Sequence, residues 1–71
     1  MYIATIERKS AYSKWRKHVE IFYRVVVYKV TPDIDEVIYI VEHHNKKNAK
    51  RNARLNTGFD GKFVNLNKQV S

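Results

Sequence analysis

Residues 45–56 read NKKNAKRNARLN, five cations with no anion among them. A second run, RKSAYSKWRKH at 8–18, places Arg8, Lys9, Lys14, Arg16 and Lys17 around Tyr12 and Trp15, again without an acid. Uninterrupted Lys and Arg raise the local potential, which attracts phosphates or acidic protein surfaces. At about 100° per residue, a helix over the first run gathers Lys46, Lys47, Lys50, Arg51 and Arg54 into one arc about 140° wide. Ala49 and Ala53 lie beside that arc, and Asn48, Asn52 and Asn56 form a second stripe behind it. Such a helix offers cations for phosphates and, within a major groove, asparagines for adenine edges. Trp15, a bulky ring between Lys14 and Arg16, either anchors its segment in the core or touches a partner.

Two other groups bear on chemistry. His43 and His44, with the later GKFVNLNK, invite comparison with ββα-metal nucleases, whose catalysis needs converging ligands and a histidine base. Adjacent strand residues point to opposite faces, however, and nothing after Asn65 supplies another His or carboxylate. The chain also lacks a Ser-His-Asp spacing, a phosphate-cradling glycine loop and a carboxylate pair beside a base. Neither catalysis nor a cofactor is expected. Tyr23, Tyr28, Tyr39 and Phe22 could stack single-stranded bases if they shared an exposed sheet face, or else fill a small core.

The elements that must position these residues are legible from pattern. YIATIE at 2–7 alternates as a strand, with Ile3 and Thr5 on one side and Ala4 and Ile6 on the other. Residues 8–18 read as a loop that can hold one helical turn. VEIFYRVVVYKV at 19–30 is rich in β-branched and aromatic residues, TPDID at 31–35 is a turn, and EVIYIVE at 36–42 is the return strand. In the long strand Ile21, Tyr23, Val25 and Val27 oppose Phe22, Val26, Tyr28 and Val30. In the return strand Val37, Tyr39 and Val41 oppose Ile38 and Ile40. Apolar residues on both faces require a cover on each: a helix on one, and on the other the 8–18 loop, the C-terminal segment, a second copy or a ligand. Gly58 suits a helix stop, Asp60-Gly61 a turn, and KFVNL at 62–66 a short fourth strand, after which NKQVS frays. The expected fold is α+β: a small antiparallel sheet of three to four strands, the hairpin 19–30/36–42 at its centre, and one basic helix over about 45–56 packed on one face.

Seventy-one residues without cysteine make one small domain, with no disulfide or thiolate zinc site to reinforce its core. A hydrophobic share of 44% is too high for a disordered chain. No apolar run is long enough to span a bilayer and the N-terminus lacks signal-peptide features, so an intracellular protein is expected. The net charge of +7 is unevenly spread: residues 31–42 hold four acids and no base, between two basic segments.

A hairpin followed by a helix that opens KKNAKRNAR, with its two alanines, resembles small sheet-plus-helix DNA-binding domains of the integrase arm-binding type. The resemblance covers residues 19–55. It implies that the sheet enters the major groove, with Arg24 and Lys29 as readers and the 8–18 segment on phosphates. The expected function is therefore non-enzymatic nucleic-acid binding through Lys46, Lys47, Lys50, Arg51 and Arg54 together with Arg8, Lys9, Lys14, Trp15, Arg16 and Lys17. The alternative is a small viral-type modulator that docks on an acidic host protein by charge or strand-edge pairing. A homodimer through a sheet face or edge fits either reading, and a membrane role fits neither.

Overall fold

The computed structural model describes residues 1–67; the expected fraying of the last residues falls mostly outside that range. The elements are β1 (Tyr2–Ser13), β2 (His18–Val30), β3 (Asp35–His43), α1 (Lys46–Thr57) and β4 (Phe63–Asn65). They form one four-stranded sheet in the order β3-β2-β1-β4, with α1 packed on one face. This is the expected small α+β fold, with one amendment. The first three strands are antiparallel, but β4 pairs with β1 in parallel, through Ala4 opposite Phe63 and Ile6 opposite Asn65.

Residues 8–18 are not a loop. Arg8 to Ser13 continue β1 and pair with β2 out to Ser13 opposite His18, leaving only Lys14–Lys17 as the turn. The expectation failed because this stretch lies beyond the core, so no apolar alternation marks it. What holds it extended is the pairing with β2. Lys17 takes the left-handed backbone at φ 52 to close the turn. The second hairpin is closed at Thr31–Ile34, where the Thr31 hydroxyl donates to the Ile34 carbonyl (2.7 Å) and accepts from the Ile34 amide (3.2 Å).

Between Val27 and Tyr28 the β2–β3 register shifts. One extra residue on β3 reverses the faces beyond it. Tyr39 and Val41 therefore stay on the helix face opposite Val27 and Val25, whereas Val37 pairs with Tyr28 on the other face, beside Ile40 opposite Val26. The uninterrupted alternation expected for β3 is corrected by this bulge.

The helix stops at Gly58, as its sequence suggests, and its start is set by a cap that the sequence reading did not name. Asn45 caps it, its side-chain oxygen accepting the amides of Lys47 (2.9 Å) and Asn48 (3.3 Å). Gly58 ends it in the left-handed conformation at φ 73, donating to the Arg54 carbonyl. Ala49 and Ala53 are fully buried and let the backbone sit close on Val25 and Val27. With Ala4, Ile6 and Phe59 these complete the core, and Tyr23, Tyr39, Val41 and Phe63 pack around it. Among the described residues only Val25 and Val27 are large side chains that are fully buried. The second sheet face, with Ile3, Val26, Tyr28, Val37, Ile40 and Val64, is left uncovered by the described residues.

Candidate nucleic-acid interface

Helix α1 lies across β2 and β3, so one of its edges overlooks β1 and β4. Lys46, Lys50 and Arg54, four residues apart, share that edge. The Lys50 ammonium is 5.6 Å from the centre of the Phe63 ring, and the Arg54 guanidinium carbon 5.0 Å. Phe63 is itself braced edge-on against Phe59, centroids 5.3 Å apart at 70°. At the start of the helix Lys46 joins Arg8, Ile6, Tyr23, Asn65 and Asn67 around a cleft of about 250 Å³. Arg8 is held there by its backbone: its amide donates to the Asn67 side-chain oxygen, and its carbonyl accepts from Asn67 Nδ2 at 3.1 Å. Lys47 and Arg51 are exposed on the outer side, where they border a shallow groove with Lys50, Arg54 and Leu55.

Three of the acids are engaged away from the helix. Glu42 sits 2.6 Å from Arg24, Glu7 3.4 Å from Lys9, and Glu20 2.9 Å from Arg16. Cross-strand pairing sets Glu7 opposite Arg24 opposite Glu42 on the uncovered face. Among the described residues no carboxylate comes within 4.0 Å of a cation of α1 or of Arg8. The first turn of α1 also carries Lys46 and Lys47 and no acid. Cations there oppose the helix dipole, and like charges at i, i+4 repel by about 0.2–0.5 kcal/mol per pair. An anion at this surface relieves both.

The sequence-predicted residues thus fall in three places. Lys46, Lys47, Lys50, Arg51, Arg54 and Arg8 come together around α1. Lys14, Trp15, Arg16 and Lys17 form the tip of the β1–β2 arm, roughly 20 Å beyond Arg8 at about 3.3 Å per residue. There Trp15 is 96% exposed, which removes the option that it anchors the segment in the core. Lys9 lies on the opposite sheet face from Arg8, against Glu7. Sequence reasoning missed Phe63, Asn65 and Asn67 as walls of the site: it expected a strand at 62–66 but not its parallel pairing with β1.

Several readings are corrected by the geometry. Asn56 donates to the Tyr39 hydroxyl (3.1 Å) and to the Asn52 carbonyl (2.8 Å), so this end of the asparagine stripe is turned to β3 rather than outward. Tyr23 and Tyr39 pack on the core while Phe22 and Tyr28 occupy the other face, so the four aromatics share no stacking platform. Of the two strand residues expected to read bases, Arg24 is engaged by Glu42 on the uncovered face and Lys29 is on the helix face. The His43 ring accepts the Asn45 amide (2.9 Å), while His44 Nδ1 lies 3.1 Å from the Ile21 carbonyl.

Fold and site together define a small α+β domain whose helix cations have no carboxylate partner among the described residues. No family model matches the chain, and neither does a curated protein or a solved structure. Among the described residues no helix is long and apolar enough to cross a membrane.

Proposed function

We propose that the chain is a non-enzymatic nucleic-acid-binding protein. Phosphates lie along Lys46, Lys50 and Arg54 and in the cleft with Arg8, Lys47 and Arg51 extend the contact, and the arm tip reaches a second stretch of the same strand or duplex. One observation carries the reading: Glu7, Glu20 and Glu42 pair with Lys9, Arg16 and Arg24 on the sheet's other face and the arm, while among the described residues the cations of α1 have no carboxylate partner. A ligand touching both α1 and the tip must extend over roughly 20 Å, about six steps at 3.4 Å. At the tip, Lys14 and Lys17 supply charge while Trp15 offers a ring on which a base can stack, a contact that is tolerant of sequence.

Anisotropy titrations of labelled duplex DNA and structured RNA across a salt series test this. A phosphate binder loses affinity linearly on a log–log scale. Absence of binding to both at low salt overturns the reading. The alternative, docking on an acidic protein, would use the same cations, but its edge-pairing form is disfavoured by the bulge in β3, since bulges blunt an edge against strand addition.

A further inference from the structure

The uncovered sheet face is ordered by row. Ile3, Tyr28 and Val37 form one row and Val64, Thr5, Val26 and Ile40 the next. Glu7, Arg24 and Glu42 close the patch on the arm side, and Val30 and Asp35 on the other. Ile40 is 57% exposed, Val64 52% and Val37 47%. An apolar face of this extent on so small a domain needs a cover.

From this face we infer that the protein forms a symmetric dimer, two copies packing sheet against sheet through Ile3, Val26, Tyr28, Val37, Ile40 and Val64. Charge selects the second copy as occupant. The chain carries +7, so most approaches of one copy to another bring cations together. This face holds two bases, Lys9 and Arg24, and four acids, Glu7, Glu20, Glu42 and Asp35, with both bases already paired and Glu20 held by Arg16 of the turn. Two copies therefore meet here with little repulsion. The row Glu7–Arg24–Glu42 alternates in sign, so a two-fold arrangement offset by one strand sets a carboxylate of each copy over Arg24 of the other.

Area points the same way. Three strands about 4.8 Å apart with about seven residues at 3.3 Å each, and the short β4 beside them, give a face of roughly 380 Å² in projection, and twisted sheets stack about 10 Å apart. Two such faces bury on the order of 800 Å², the size of a weak, transient interface, so association between about ten micromolar and a millimolar is expected. The core, with two large side chains fully buried, also gains what a small domain otherwise lacks. This inference does not depend on the nucleic-acid reading.

Sedimentation equilibrium in the absence of nucleic acid, from micromolar to millimolar protein, is the test. The wild type is expected to move from monomer to dimer across that range. Ile40→Lys should weaken association about a hundredfold while keeping the circular dichroism of the parent, since the side chain is exposed in the monomer. Val37→Lys repeats the test at a second position, and Leu55→Lys on α1 should leave the dimer intact. A wild type still monomeric at millimolar concentration overturns the inference, as does a folded Ile40→Lys or Val37→Lys variant that dimerises like the parent. Anisotropy measurements on Ile40→Lys keep the two proposals separate, because nucleic-acid binding survives there if only the dimer is lost.

Discussion

The Arg54 guanidinium stands 5.0 Å from the centre of the Phe63 ring, joining the last turn of α1 to the edge strand β4. A ring face orients a cation without cancelling its charge, and at an exposed site contributes about 0.5–1 kcal/mol. The cations that overlook β4 are thus held in place by an aromatic rather than by a carboxylate. This is the arrangement a phosphate site needs, since a carboxylate would have to be displaced before a phosphate could enter.

Removing those cations should be read first in the salt dependence. Lys50→Ala with Arg54→Ala is expected to weaken duplex binding at low salt and flatten the log–log salt slope by about 1.8, at about 0.9 for each phosphate the protein no longer neutralises. Anisotropy at four or five salt concentrations checks it. An unchanged slope would place the phosphates elsewhere.

Arg24→Ala separates the helix-side site from a sheet that enters the groove. Because Arg24 is engaged by Glu42, its loss should change nucleic-acid affinity less than twofold if the phosphates lie along α1. A tenfold loss, together with indifference to Lys50→Ala, would favour the sheet face as the reader.

Trp15 is the chain's one tryptophan and is 96% exposed. Its emission therefore reports on the arm tip alone. Binding of nucleic acid should quench it, and Trp15→Ala should cost about tenfold in affinity, within the range of one base-stacking contact of about 1–3 kcal/mol. The variant's thermal midpoint should match the parent's. Binding with undiminished emission would show that the tip stays free.

The alanine seam makes a prediction about stability. Ala53 is fully buried between α1 and the sheet, and Ala53→Leu overfills that contact at an expected cost of about 1–3 kcal/mol. Urea unfolding measures it. Phe63→Ala removes the ring that braces Phe59 and orients Lys50 and Arg54, and should cost about 2 kcal/mol for a partly buried aromatic.

The parts of this fold that pack on something could be read from the chain. The β2–β3 hairpin, the turn at Thr31, the Gly58 stop and the alanine seam each leave a residue-type signature because each solves a local problem of burial or backbone geometry. The arm from Arg8 to Ser13 leaves none, since outside the core nothing constrains which residues face which way. The bulge at β3 was hidden for a related reason. Val37, Ile38, Tyr39 and Ile40 are all apolar, so a shift of one residue does not disturb the pattern. The cation stripe was legible, but its walls, Phe63, Asn65 and Asn67, reach it only through the parallel pairing of β4 with β1, which no local signal announces.

Sorting of charge between the two faces has a consequence for valence. A dimer joined through the uncovered faces turns its two basic helices outward, away from each other, so they cannot grip the same short segment. Each particle then has two anion-binding sides and becomes a cross-linker. At protein concentrations that favour the dimer, long nucleic acid would be drawn into bridged, compacted assemblies, which dissolve when excess ligand saturates each side separately.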